Sequence, residues 1–217
     1  TVIESTSASN PAITVAAAGS GCEIYGFTIK DSQRGIYCLG TSNSVKTSLT
    51  LSNLIISNND TDSDTLNGGG IYFKYVNADV KNTYVIENEA GDGGGIYSEN
   101  SILDLANCVL WKNATKDTGS QLGGGLYFKD TAVSFDNCTF SKNTTGYRGG
   151  AIYSDYHSYF YAVSAFNCIF WNNEAGGSGD DIYNGNSNGN MSLTRCIIHT
   201  GYTTGSFLLP ASPNFKD

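Results

Sequence analysis

The sequence is short of charge, of proline and of histidine. Of its 217 residues 15% are charged, where roughly a quarter is usual, and it holds 3 Pro and 2 His. Lysine and arginine total 12 against 20 acidic residues, a net charge of −8. Binding nucleic acid or an anionic membrane face needs a basic surface, so neither partner is expected. No apolar run approaches the ~20 residues of a membrane span, so this segment should not insert directly. Zinc is not expected, because the 6 Cys form no Cys-x-x-Cys pair and the only imidazoles are His157 and His199. The chain opens on Thr1 without a Met or a signal peptide, and we therefore expect a segment cut from a longer secreted or surface protein.

What remains is a composition of strands and turns: 26 Gly, 14 Tyr and 10 Phe among many Asn, Ser and Thr, with little of the periodicity that builds helices. The length suffices for one domain with its own core, and 1–217 reads as a single domain.

An internal repeat organises the chain. NLIISNN from Asn53, NTYVIEN from Asn82, NCVLWKN from Asn107, NCTFSKN from Asn137 and NCIFWNN from Asn167 align without a gap, and RCIIHTG from Arg195 is a degenerate last copy. A second signature alternates with it: RGIYC, GGGIYF, GGGIYS, GGGLYF, GGAIYS and GDDIYN, with tyrosines Tyr37, Tyr72, Tyr97, Tyr127, Tyr153 and Tyr183. Successive tyrosines lie 35, 25, 30, 26 and 30 residues apart, because the loop after each final asparagine and the piece after each tyrosine vary in length. Fixed strands joined by elastic loops describe a solenoid. Apolar residues alternate with polar ones at Val133 and Phe135, Cys138 and Phe140, and Ile152. That pattern predicts three short strands per turn around an apolar interior. The expected fold is all-β: a single-stranded right-handed parallel β-helix of about seven coils, each of about 25–30 residues.

Within that frame each repeated residue has an expected task. Asn59, Asn88, Asn113, Asn143 and Asn173 should turn the corner after the second strand, in a left-handed conformation or by amide stacking. The glycines reopen the chain where no Cβ fits. Cys108, Cys138, Cys168 and Cys196 share one inward position. Their spacing would permit disulfides between coils, but a reduced apolar ladder is the expectation. Cys22 aligns with Val133 and Cys38 with Phe73, so both belong to the core. The six tyrosines should form an outward file that stabilises the sheet surface.

Some residues are free of the repeat's duties and become candidates for binding. Trp111 and Trp171 fall at an outward position on the neighbouring strand. The insertion SDYHSYFY, from Ser154, adds Tyr156, His157, Tyr159, Phe160 and Tyr161. Asp60, Asp62 and Asp64 alternate as in the first half of a Ca²⁺ loop, but neither the following glycine nor the bidentate glutamate is present. Ca²⁺ at these three residues is the one cofactor the sequence suggests, and a solvated acidic loop is the other reading. Asp155, Asp180 and Asp181 are candidate carboxyls for a glycosidase, which needs two facing each other across a groove.

The paired signatures FSKN and GGAI, with FWNN and GGGI as variants, resemble the GGA-I / F-x-x-N repeats of chlamydial polymorphic outer membrane proteins, and of other large secreted bacterial and archaeal β-helix proteins. The likeness covers nearly the whole chain and departs at GDDIY, where Asp180 and Asp181 replace glycine or alanine. It implies an extracellular or cell-surface passenger or stalk and carries over no catalytic residue. The function expected is a non-catalytic, adhesin-like or carbohydrate-contacting segment meeting glycans or host and cell-surface proteins. The alternatives are a polysaccharide lyase or glycoside hydrolase on the same scaffold, and a spacer without a ligand.

Overall fold

The computed structural model describes residues 1–7, 9–16, 21–116, 119–155, 163–185, 191–200 and 202–203. Among these the chain winds as a parallel β-solenoid with no helix. One sheet of eight strands runs from Val2–Ile3 through Tyr84–Ile86, Val109–Trp111 and Ile169–Trp171 to Ile197–Ile198, and we call it the tryptophan sheet. A second of eight strands, the tyrosine sheet, includes Ile71–Lys74, Ile96–Glu99, Leu126–Lys129 and Ile152–Asp155. The third has seven, among them Val76–Lys81, Ile102–Ala106 and Ala132–Asp136. A small fourth sheet of four two-residue strands, such as Ala114–Thr115 and Thr144–Thr145, follows the asparagine corner. The sequence alternation did not announce it, because two residues carry no period.

Inside and outside follow the predicted alternation. Val133, Phe135, Cys138, Phe140 and Ile152 are buried, and so are Leu103, Leu105, Cys108, Leu110, Leu126 and Phe128. Phe73, Phe128, Phe140 and Phe170 are wholly enclosed, each contributing about 1.5–3 kcal/mol of burial. Cys38 pairs in register with Phe73, and Cys22 with Leu49 in the file that leads through Ala78 and Leu103 to Val133. All six cysteines are unpaired thiols. In the stack, Cys108, Cys138 and Cys168 donate to nearby carbonyls rather than bridging.

The corners need one correction. The ladder asparagines do not adopt the left-handed conformation; the residue before each of them does. Asn58, Glu87, Lys112, Lys142 and Asn172 have φ of 53°, 56°, 52°, 56° and 57°. Asn53, Asn82, Asn107, Asn137 and Asn167, which open the repeat, turn the preceding corner in the same way. The left-handed residue reverses the path and sends the next side chain inward, which is why Asn59, Asn88, Asn113, Asn143 and Asn173 are buried.

A buried amide is costly unless bonded, and here the amides satisfy one another. Each Nδ2 donates to the next coil's Oδ1, at 2.8 Å for Asn59 to Asn88, 3.0 Å for Asn88 to Asn113, 3.0 Å for Asn113 to Asn143 and 2.9 Å for Asn143 to Asn173. The same Oδ1 accepts the main-chain N–H of the preceding asparagine, and each Nδ2 also donates to a main-chain carbonyl of the preceding coil. Gly95 shows why glycine faces this ladder: a Cβ there would lie 2.5 Å from the Gly125 carbonyl oxygen and 3.0 Å from the Asn113 amide.

Candidate ligand-binding face

The exposed apolar surface gathers on the tryptophan sheet. Its six inner strands are three residues long with the middle one buried, so each turns its first and third residues outward. One outward file runs Ile55, Tyr84, Val109, Thr139, Ile169, Ile197. Ile55, Tyr84 and Ile169 are 41%, 52% and 38% exposed. The parallel file runs Ser57, Ile86, Trp111, Ser141, Trp171. Both predicted tryptophans are therefore outward, half-buried and in one file, with the small Ser141 in the coil between them. At ~4.8 Å per strand they stand roughly 10 Å apart along the axis.

Each indole has a neighbour. The Lys112 ammonium lies 4.2 Å from the Trp111 ring centroid, and His199 packs 4.3 Å from that of Trp171. Lys112 also pairs with Glu87 at 3.3 Å. Lys142, at the same corner one coil on, is exposed and has no ion-pair partner among the described residues. No carboxylate comes from the strands of this sheet: the outward acids Asp79 and Asp104 stand on the third sheet.

The tyrosine file is outward in register but is not an open platform. Rings Tyr37, Tyr72, Tyr97, Tyr127, Tyr153 and Tyr183 stack with centroids 5.0, 5.2, 4.9, 5.4 and 5.3 Å apart. Tyr97 and Tyr127 are 7% and 6% exposed, because each ring covers the next. Burial first, and then nearby carboxylates, raise both phenols above their ordinary range. Beside them Lys74, Glu99, Lys129 and Asp155 alternate in sign along the sheet, and Lys74 pairs with Glu99 at 3.0 Å. This file is a structural spine.

The carboxyls singled out for hydrolysis are otherwise engaged. Asp181 is fully buried, where a hydrolytic carboxyl would have to face an open groove. Its Oδ1 accepts from Asn173 Nδ2 at 2.7 Å, and its Oδ2 from the N–H groups of His199 and Thr200 at 2.9 and 2.8 Å. Burial raises its pKa, against those hydrogen bonds. Asp155 accepts from the Tyr127 hydroxyl at 3.1 Å, and Asp180 from the Ala175 N–H at 3.2 Å.

Asp60, of the acidic loop, is held by Lys116, which also reaches Glu89 at 3.2 Å, and Asp60 accepts from the Asp62 N–H. Among the described residues no three His, Cys, Asp or Glu converge as a cation site. A cleft of about 380 Å³ opens beside the fourth sheet between Thr115, Thr144, Thr145, Gly146, Glu174 and Gly176. It has one carboxylate and no cation. Tyr156, His157, Tyr159, Phe160 and Tyr161 lie outside the described residues. Sequence reasoning passed over Ile55, Tyr84, Ile86, Ile169 and Lys142, although the alternation around the buried Ile56, Val85 and Phe170 would have found the first four.

A model of the family described as "Right handed beta helix region" matches residues 11–190. No curated protein and no solved structure matches the chain.

Proposed function

The chain belongs to the right-handed β-helix family, and we propose that it is a non-catalytic, adhesin-like rod of a secreted or cell-surface protein whose tryptophan sheet contacts glycans. The observation that carries this reading is the outward face of that sheet, where Trp111, Trp171 and Tyr84 stand among exposed aliphatic side chains. Pyranose rings present apolar C–H faces that stack on aromatic rings and hydroxyls that stay in water. A flat aromatic surface without a deep pocket suits such a ligand. Trp111 and Trp171 recur at one register position two coils apart, so it offers an extended polymer the same contact twice. The likeness of the repeats to those of chlamydial and other surface proteins supports an extracellular location.

Hydrolysis is the less favoured reading. Two carboxyls must face a common groove with one free to ionise and one to donate. Asp181 instead closes the asparagine ladder, and Asp155 and Asp180 each hold a structural hydrogen bond.

A glycan-array and polysaccharide screen with product analysis on every hit tests the proposal. Expected is binding without cleavage, abolished by the double variant W111A/W171A while the β-sheet spectrum is unchanged. Cleaved products would move the assignment to the hydrolase reading, and silence across the screen would leave a spacer.

A further inference from the structure

The geometry of Trp111, Lys142 and Trp171 narrows the ligand further. Resting on the glycan-binding reading above, we propose that this face takes an extended acidic polysaccharide with a two-sugar repeat in which every second sugar carries a carboxylate. The polymer lies along the solenoid axis, across the strands. Two sugars pack against the indoles beside Lys112 and His199, and the uronate between them meets Lys142.

Three observations lead there. First, Trp111, Ser141 and Trp171 are direct register partners on consecutive strands, so the indoles repeat every second coil. One coil step of ~4.8 Å is close to the length of one pyranose ring in an extended chain, and two steps match a two-sugar repeat. A ligand running along a strand would meet only one indole. Second, Ser141 is small, so the space between the indoles is open to a ring that touches neither of them.

Third, the charge at that midpoint is positive and uncompensated. The corner stack reads Asn58, Glu87, Lys112, Lys142, Asn172. Glu87 is taken by Lys112, which leaves Lys142 between a like charge and a neutral amide. Lys30, Lys74, Lys81 and Lys116 are each paired with an acid, and the other lysines without an ion pair among the described residues, Lys46 and Lys129, stand away from this sheet. In a chain of net charge −8, an exposed lysine without an ion-pair partner, on the coil between those of the two indoles, is complementary to an anion.

The test uses the chain with oligosaccharides of two to six sugars that alternate hexuronic acid with N-acetylhexosamine, and with the same oligosaccharides after carboxyl reduction, by calorimetry at low and high salt. Affinity should step up between two and three sugars, when the second indole is reached. Carboxyl reduction and K142Q should each weaken binding about two- to fivefold, as for an exposed ion pair, and the two losses should not add. W111A and W171A should each cost roughly tenfold. K129Q, on the tyrosine sheet, should change nothing. Binding equally strong after carboxyl reduction and in K142Q would overturn the inference while leaving the glycan reading intact, as would a flat dependence on length. Binding to no glycan of either kind would remove both.

Discussion

The side-chain amide of Asn173 donates to Asp181 Oδ1 at 2.7 Å, and there the asparagine ladder ends. In every earlier rung the acceptor is the next coil's asparagine, but the last repeat copy, from Arg195, ends in glycine at that position. Asp181 stands where other coils carry Gly35, Gly70, Gly95, Gly125 or Ala151. Its carboxylate supplies the missing acceptor and binds the two main-chain N–H groups of His199 and Thr200 as well. The departure from the repeat at GDDIY is a ladder terminus.

Replacing Asp181 by alanine should therefore remove the acceptor of the buried Asn173 amide and of the part-buried Thr200 N–H, while the His199 N–H keeps the Phe170 carbonyl. The expected loss is about 1–3 kcal/mol for each unmatched donor that water fails to reach. Chemical denaturation followed by circular dichroism would measure it. Asp181→Asn should recover only part, since its amide must turn one N–H toward the main-chain donors. Wild-type stability in D181A would refute the terminus.

Within the ladder, Asn143→Val removes the acceptor for two Asn113 donors and the donor to Leu110 and Asn173. A loss of about 2–5 kcal/mol is expected, the range for breaking a buried network. An unchanged melting curve would mean that the amides are not coupled.

In the tyrosine file, cost should follow position. Tyr127 lies between rings at 4.9 and 5.4 Å and donates to Asp155, so Tyr127→Ser should cost about 2–4 kcal/mol. Tyr37, stacked on Tyr72 alone, should cost about 1 kcal/mol. Tyr153→Ser, which the outward register alone would make nearly neutral, should resemble Tyr127 because its ring is also covered on both sides. Equal and negligible losses at all three positions would make the file ornamental.

The thiols set an alkaline limit. Burial pushes Cys38 up to about 12 from an ordinary 9.0, and neighbouring thiols and burial bring Cys138 and Cys168 to about 12. Cys108 is shifted down by its contact with Cys138 and offsets that partner, so Cys38 and Cys168 carry the effect. The unfolded chain releases these protons near the ordinary value while the native chain keeps them. Stability is therefore fully present below about pH 9 and should decline from there to about pH 12. Unfolding free energies at intervals across that window test the sign. Alkylation at neutral pH should label these thiols only after denaturant is added.

Three ladder asparagines head Asn-x-Thr sequons, Asn59-Asp60-Thr61, Asn113-Ala114-Thr115 and Asn143-Thr144-Thr145. N-glycosylation attaches at the Nδ2 atoms that these residues use inside the rod. Expression through an N-glycosylating secretory pathway should yield modified chains that do not fold, and an inhibitor of glycan transfer should restore the folded form. Recovery of folded protein bearing glycans at Asn113 or Asn143 would contradict the buried ladder.

The division between sequence and tertiary structure has a physical basis in the solenoid. Stacking makes residues 25 to 30 apart into neighbours, so aligning NCVLWKN with NCTFSKN and NCIFWNN already places Cys108 beside Cys138 and Trp111 in line with Trp171. Alternation within each strand then decides inside from outside, and the family, the core and the outward tyrosines were legible from that alone. Conformation at the corners was not. Left-handed φ falls on Glu87, Lys112 and Lys142 as readily as on asparagine, because position in the coil imposes it and residue type does not. Nor could the sequence tell a ladder cap from a catalytic acid at Asp181, since that depends on which donors the following coil leaves over. The same holds for Lys142: its type was plain, but that its corner neighbours on the adjacent coils are Lys112 and Asn172, neither of them an acid, is decided only when the coils are stacked.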